Sequence, residues 1–347
     1  MSMASVPAVV IGGIDTHKDI HVAAVVDRDG TVLGTEQYST TRAGYRALLR
    51  WMHGFGELAR VGVEGTGSYG AGIARHLAAA GVEVLEIGRP DRSDRRLRGK
   101  SDTLDAVNAA LAALRGQRTT VPKARNGAVE ALRVLRLTRA GAVKARRAAL
   151  QLLHSHIVSA PDEVRDQVRN LTRMQRLRTC AAWRLDPAAC DDPVVATRLA
   201  LKSLARRIIE LNDEIGSLEV PIERLVHGIN PRLADALGVG MEIAGQILVT
   251  AGDNPDRMTS EAGFAMLCGV APLPASSGKT SRHRLNRGGD RQANRALHLA
   301  VITRMRLDPR TRAYVTRRTT EGLSKREIIR CLKRYLSREL YALLRST

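Results

Sequence analysis

Ala8-Val9-Val10-Ile11-Gly12-Gly13-Ile14-Asp15-Thr16-His17-Lys18-Asp19-Ile20-His21-Val22-Ala23-Ala24-Val25-Val26-Asp27-Arg28-Asp29-Gly30 decides the fold. Two short apolar runs, Ala8–Ile14 and His21–Val26, read as strands. The turn Asp27-Arg28-Asp29-Gly30 joins the second run to Thr31–Tyr38, as in a hairpin. Outward from it come a helical pattern near Ala43–Met52, the apolar Val61-Gly62-Val63-Glu64, a helical pattern over Gly70–Ala80, and Val82–Ile87. Strand, hairpin, helix, strand, helix, strand predicts an α/β domain with a mixed sheet flanked by helices.

The chain of 347 residues has room for about two domains. At 44% apolar it can fill a core, which excludes global disorder. Lys and Arg number 55 against 35 Asp and Glu, a formal charge of +20. Such an excess fits a polyanion: nucleic acid first, an anionic membrane surface second. No stretch approaches the roughly 20 apolar residues of a membrane span, and the N-terminus lacks a signal pattern. The expectation is a soluble cytoplasmic protein, nucleoid-associated when acting, with no membrane partner. Cys180, Cys190, Cys268 and Cys331 lie too far apart for paired metal-ligand spacing and read as reduced thiols, mostly buried. With only 3% aromatic residues, stacking platforms are excluded as the main source of nucleic-acid affinity, and phosphate contacts must carry it.

From Asn126 to Ser217 the pattern is helical, with Val129, Leu132, Leu135, Val143, Leu150, Leu153 and Ile157 near heptad spacing and Arg on other faces. Pro161, Pro187 and Pro193 interrupt it, and Leu199–Leu218 resumes it. A plain bundle connector and a nucleic-acid-gripping arm both fit. Residues 279–347 hold 19 Lys/Arg and 5 Asp/Glu, so +14 of the net charge lies there. In that tail Lys279, Arg282, Arg284, Arg287, Arg291 and Arg295 follow a Gly/Ser/Pro loop at close spacing, which suits phosphate binding better than a merely solvated face.

Four carboxylates stand out. Asp15 follows the first apolar strand, Glu64 ends Val61–Val63, and Asp102 and Asp105 lie three apart at a helix start, on one face. Convergence of the four would suit one or two Mg²⁺ ions, which prefer oxygen ligands. Each acid also has a plain reading: Asp15 ends a strand, Glu64 faces solvent, and Asp102 with Asp105 caps a helix. Gly65-Thr66-Gly67-Ser68-Tyr69-Gly70 is a literal G-x-G-x-x-G with Glu86 downstream, so a dinucleotide enzyme is a rival. Its position after a later strand, the acid before it and the +20 charge count against it. Gly99-Lys100-Ser101 and Gly278-Lys279-Thr280 lack the upstream glycine of a phosphate-binding loop. Pro231–Leu248 reads as helix, Gly238-Val239-Gly240 turn, helix, able either to offer amides to a phosphate or to pack in a core. Gly269-Val270-Ala271-Pro272-Leu273-Pro274-Ala275-Ser276-Ser277-Gly278-Lys279 brings two serines to a flexible loop amid cations, where a hydroxyl can attack a phosphodiester. A plain flexible loop is the alternative. His283 and His298 can shuttle protons, contact phosphate or pack.

Together these segments resemble the DEDD transposases of the insertion-sequence 110 family. The likeness rests on Gly13–Lys18, Val63–Tyr69 and Lys100–Ala106, then on Gly238–Gly240, Gly269–Pro272, Ser276–Lys279 and Arg287–Asn294, in that order. The resemblance implies a ribonuclease-H-like N-terminal domain of the Holliday-junction-resolvase type over residues 1–122, a helical or coiled-coil arm over 123–225, and a mainly α, basic transposase domain over 226–347. It implies Asp15, Glu64, Asp102 and Asp105 as an Mg²⁺ tetrad. A serine nucleophile would become joined to DNA: Ser277, which adjoins Gly278, with Ser276 as the alternative. It further implies donor and target DNA as substrates, an element-encoded guide RNA that pairs with both, and a homo-oligomer, dimer or tetramer. A metal-dependent junction-resolving nuclease using water, and a non-catalytic nucleic-acid-binding protein, are the competing functions.

Overall fold

The computed structural model describes residues 8–88, 101–276 and 283–345. The chain forms two compact units, one of residues up to Gly127 with Ala251–Ser260, the other of Ala128–Thr250 with Glu261 onward.

The first unit is built on a six-stranded sheet. Its strands are β1 (Val9–Thr16), β2 (Ile20–Val26), β3 (Val32–Ser39), β4 (Glu57–Glu64), β5 (Glu83–Ile87) and β6 (Thr119–Thr120), in the order β3-β2-β1-β4-β5-β6. β1 pairs antiparallel with β2 and parallel with β4, β4 runs parallel to β5, and β6 closes antiparallel. β1 and β2 are buried on both faces, which is why they read as unbroken apolar runs without alternation. β3, an edge strand carrying Thr35, Glu36 and Gln37, is largely exposed. The strands extend further than the apolar runs: Asp15 lies inside β1 and not after it. Hydrogen bonds to β2 carry the ladder through Thr16 although the side chains turn polar.

Opposite faces of the sheet receive different partners. On one, α1 (Arg42–His53) and α2 (Ala71–Ala79) cover Val10, Ile14, Val61 and Val63 with Leu48, Met52, Ile73 and Leu77. Thr41 caps α1, its hydroxyl accepting from Gly44 N at 3.1 Å. On the other face α3 (Asp102–Arg115) lays Ala109, Ala110 and Ala113 against Ile11, Val26, Leu85 and Ile87, and Ala106 against Val22 and Ala24. The contact is unusually close. A Cβ on Gly13 would stand 2.2 Å from both Ala106 O and Ala110 N, and one on Gly62 would stand 2.5 Å from Ala109 O. These two glycines are register partners on neighbouring strands, so together they make the seat on which the alanine face of α3 rests.

The second unit is helical. α4 (Ala128–Val158) packs antiparallel on α7 (Pro193–Ile229), with α5 (Asp162–Val168) and α6 (Arg173–Ala182) closing a core of Leu153, Ile157, Val164, Leu177, Leu201 and Ile208. Arg139 pairs with Glu219, and Arg146 Nη1 donates to Asn212 Oδ1 at 3.0 Å. Pro193 begins α7 and does not interrupt a helix: it occupies the first turn, where no N–H is needed, behind Asp192, whose carboxylate accepts from Val194 N at 2.9 Å. Pro221 lies inside α7. The remainder comprises α8 (Pro231–Asp235), α9 (Gly240–Ala251), α10 (Glu261–Leu267), the strand pair β7 (Leu273–Pro274) and β8 (His283–Arg284), then α11 (Arg291–Leu307), α12 (Pro309–Thr320) and α13 (Lys325–Arg345). Among the described residues no helix is long and apolar enough to cross a membrane.

Two stability tests follow. Gly13→Ala should cost about 3 kcal/mol in urea unfolding, because helix backbone blocks the new methyl group. Gly12→Ala should cost less, since its Cβ would meet the movable end of Met52 at 2.9 Å. His21 is fully buried, stacked on Tyr45 at 5.7 Å, and among the described residues neither ring nitrogen has a hydrogen-bond partner. Burial depresses its pKa to about 4. The unfolded imidazole therefore protonates before the folded one, and stability is lost as pH falls from about 6.5 towards 4. His21→Phe should remove on the order of 1–3 kcal/mol of that loss, read as a flatter acid limb in unfolding free energy against pH.

Candidate metal centre and nucleic-acid surface

The seat formed by Gly13 and Gly62 decides where the acids go. Side chains alternate along a strand, so residues two positions on, Asp15 and Glu64, share the face against which α3 packs. Thr16 Oγ1 donates to Glu64 O at 2.9 Å and clips the ends of β1 and β4 together. α3 arrives with Asp102 and Asp105 in its first turn. Neither acid is the cap. Ser101 fills that place, accepting from Leu104 N at 3.2 Å, so the capping reading of the pair is corrected. Asp105 is instead buried at 7% exposure, and Asp15 is buried at 8%.

One oxygen of Asp15, one of Asp102 and a ring nitrogen of His17 all lie within 4.8 Å of one another. His17 Nε2 stands 3.1 Å from Asp15 Oδ2 and 3.4 Å from Asp102 Oδ2, bridging the two carboxylates. Burial raises the pKa of Asp15; His17 opposes the rise, and the charges of Asp105 and Asp102 add to it. An acid kept ionised there needs a compensating cation. Oxygens from Asp15 and Asp102, with the charge of Asp105 close by, make a donor set that fits a hard divalent cation such as Mg²⁺ or Mn²⁺. Glu64 is half-buried and lies outside the tight group. His17 is the residue that motif reading passed over. Its signal was the spacing Asp-x-His at a strand end, which brings a ring nitrogen back to the acid before it.

Asn254 supports the neighbouring segment, accepting from Ala124 N at 3.0 Å and donating to Pro122 O at 2.9 Å. The Arg125 guanidinium then lies over Gly67, 3.2 Å from where a Cβ would stand. The turn it covers is the G-x-G-x-x-G. There the amides of Ser68 and Gly70 both donate to Gly65 O, at 2.8 and 3.1 Å, so they serve the turn and are not offered to a pyrophosphate. Gly65 has φ +64°, and a Cβ on Gly70 would stand 2.7 Å from Glu64 O. The glycines thus let the chain double back directly after Glu64, and the dinucleotide reading loses its footing.

In the helical unit the motif Arg287–Asn294 holds the approach to the serines. Gly269 (φ +65°) and Gly289 (φ +82°) touch backbone to backbone, so a Cβ on either would meet a carbonyl oxygen at 2.6 Å. Asn294 Nδ2 donates to Cys268 O and Gly269 O at 3.1 and 2.8 Å. Asp290 caps α11, accepting from Gln292 N at 2.8 Å and Ala293 N at 3.2 Å, and also from the buried Thr250 hydroxyl at 2.7 Å. Ser276 follows β7 and is exposed; Ser277, Lys279 and Arg282 lie outside the described residues. Arg284, Arg287, Arg291 and Arg295 are all exposed and make no ion pair among the described residues. Elsewhere in this unit Arg139, Arg198, Arg304 and Arg334 are matched to carboxylates. His283 and His298 are exposed. The Gly238–Gly240 turn packs on α11, with Arg304 Nε donating to Leu237 O at 2.7 Å at the surface and Val239 buried beneath. Among the four free cysteines, Cys180 and Cys268 are buried, Cys331 is partly buried and Cys190 is exposed.

The α/β unit collects carboxylates at its strand ends, and the helical unit presents exposed arginines that make no ion pair among the described residues. Two family profiles match the chain: the DEDD IS110 profile, described as transposase, over residues 12–160, and the transposase IS116/IS110/IS902 family over residues 230–316. The chain belongs to the IS110 family of transposases. It is 34% identical over 151 residues to an insertion element IS110 protein of 43.6 kDa from Streptomyces coelicolor, covering 42% of this chain and 37% of that one. It is 30% identical over 213 residues to an insertion element IS900 protein of 42 kDa from Mycobacterium paratuberculosis, covering 57% and 53%. The matches thus span about half or less of those relatives' own lengths.

The raised pKa of Asp15 carries a sign that can be checked. Below the carboxylate range the acid is neutral; as pH rises through it, ionisation of a buried group, beside Asp105 and Asp102, subtracts stability from the metal-free protein. At pH 7 in chelator, Asp15→Asn should melt no lower than the native chain. Adding Mg²⁺ or Mn²⁺ should raise the native melting temperature and leave that of the variant in place, measured by scanning calorimetry.

Proposed function

We propose that this protein is a DNA transposase that cuts and rejoins strands at the donor and target sites of an insertion sequence. The observation that carries the reading is the gathering of Asp15, His17 and Asp102 within 4.8 Å at the end of the central strand. The sheet order and strand directions support a ribonuclease-H-like reading of residues 1–122, with 123–225 as a helical arm and 226–347 as the basic transposase domain.

In this reading Asp15, Glu64, Asp102 and Asp105 hold Mg²⁺. When bound, the metal supplies positive charge against phosphate oxygens during phosphoryl transfer. His17 orients the Asp15 and Asp102 carboxylates from between them. The hydroxyl oxygen of Ser277, or of Ser276, gives up its proton and attacks a backbone phosphorus; a serine–phosphate bond forms, the bond to one sugar oxygen breaks, and that oxygen takes up a proton in turn. Attack by the sugar hydroxyl of the recombining strand reverses the step and frees the serine. Lys279, Arg282, Arg284, Arg287, Arg291 and Arg295 neutralise the phosphates on either side.

Recognition of sequence is delegated to an element-encoded guide RNA, and the protein grips the resulting duplexes by shape and backbone. The supporting argument is compositional, a surplus of arginine with few rings. The catalytic assembly is a homo-oligomer, dimer or tetramer, linked through α4 and α7, and it acts in the cytoplasm at the nucleoid.

The test is a denaturing-gel search for a protein–DNA adduct, using the full chain, Mg²⁺, RNA from the gene's flank and labelled DNA across the element junction. An adduct lost in only one of Ser276→Ala and Ser277→Ala names the nucleophile. Asp15→Asn should abolish strand exchange by at least 100-fold while leaving RNA binding intact. Cut DNA with no adduct at any time point would overturn the serine intermediate in favour of hydrolysis by water.

A further inference from the structure

A cleft of about 780 Å³ opens in the helical unit between the Gly269–Pro272 loop, β8 and α13. That volume lies within the roughly 300–1,000 Å³ of small-ligand pockets, far too small for a duplex. Lys333 reaches the cleft from α13 at only 7% exposure. Its single described contact is to a neutral atom, Nζ donating to Asn294 Oδ1 at 2.8 Å. An ammonium carries three donors, and a buried one without a carboxylate partner calls for an anion.

The other charged groups of the cleft leave that demand unmet. Arg334 is held by Glu261, whose carboxyl it keeps at a pKa of about 2, and Arg318 is paired with Glu321. Glu327 accepts from the hydroxyl and amide of Ser324 at 2.6 and 3.0 Å, closing the first turn of α13. Arg284 and Arg330 make no ion pair among the described residues. Burial, reinforced by Arg330, pulls the pKa of Lys333 down, as for a cation with no counter-charge. Tyr335, 51% exposed, lines the same cleft and is braced edge-on by Tyr314 at 5.7 Å and 90°. A braced, exposed ring beside unmatched cations is the pairing that binds unstacked bases.

We propose that this cleft is a subsite for one unpaired DNA nucleotide, its phosphate held by Lys333, Arg330 and Arg284 and its base stacked on Tyr335. The choice of DNA rests on the serine reading above: the cleft is lined by Pro272, four positions before Ser276 in the sequence, so the nucleotide held would neighbour the phosphate that reading has under attack.

The experiment uses the full chain and a twelve-residue oligo(dT) carrying 5-iodouracil, irradiated and mapped by mass spectrometry, alongside fluorescence anisotropy with oligo(dT), oligo(U) and a duplex at one salt concentration. A cross-link at Tyr335 is expected. Tyr335→Ala and Arg330→Ala should each weaken oligo(dT) binding about five-fold or more while duplex affinity changes less than two-fold. Both residues are on the cleft surface, so the test does not depend on Lys333→Gln, which risks the fold. Cross-links only elsewhere, or equal losses for single strands and duplex, would overturn the proposal. Tighter binding of oligo(U) through the same residues would assign the cleft to RNA and overturn it as well. Binding needs no chemistry: a Tyr335 cross-link in a protein that forms no DNA adduct would support the cleft and fault the serine reading, and an adduct without the cross-link would do the reverse.

Discussion

The first unit depends on one backbone-to-backbone contact. α3 crosses β1 and β4 where Gly13 and Gly62 lie side by side, close enough that a methyl group on either would overlap the helix main chain. Alanines 106, 109, 110 and 113 supply the matching face. Larger residues on either side would lift the helix by an ångström or more. They would also lift Asp102 and Asp105, which ride on its first turn, away from Asp15 on the strand below. The acid site is therefore set by packing of residues that have almost no side chain. Burial of Asp15 and Asp105 is a consequence of the same closeness, and burial is what gives Asp15 its appetite for a cation.

Much of this was legible from the residues. Unbroken apolar runs announced doubly buried strands, and Asp27–Gly30 announced the hairpin between β2 and β3. The three acids Asp15, Asp102 and Asp105 could be picked by position, at a strand end and a helix start. Three things could not. Strand ends are fixed by ladder hydrogen bonds to β2, which continue past the last apolar residue, so Asp15 was read as lying beyond a strand that in fact contains it. Ser101 was overlooked as a cap because the acids after it look like one. His17 had no visible role, since its value depends on how the chain bends after Thr16, and that geometry is tertiary.

In the helical unit the stretch Arg287–Asn294 and the loop it meets divide the work among their residues. Gly269 and Gly289 permit two chain segments to touch, Asn294 ties the loop before the serines to α11, and Asp290 both caps that helix and receives the Thr250 hydroxyl. Arg284, Arg287, Arg291 and Arg295 project from the same framework into solvent. Close glycine and amide contacts inside hold the loop in place, and exposed guanidinium groups outside face solvent, where a phosphate backbone can meet them. Asn294 links the two roles, because the oxygen left over after it grips the loop is the one that holds Lys333.

The use made of aromatic rings bears on how the protein distinguishes one sequence from another. Trp51 lies against both Tyr38 and Phe55, Tyr45 against His21 and His76, and Phe264 against Tyr341. Trp183 lies under Arg198. These rings are engaged within the protein and are not arranged as a row on which successive bases could lie. A surface without such a row, but with unpaired arginines, gains affinity from phosphates that every sequence shares. Discrimination must then come from something other than stacking, either from base edges read by side chains or from a second nucleic acid that pairs with the first. Arginine can read guanine edges through its bidentate fork, and the exposed arginines of α11 and its approach make no ion pair among the described residues. A surface of exposed arginines with few exposed rings therefore suits phosphate contacts, which position a nucleic acid without reading its sequence.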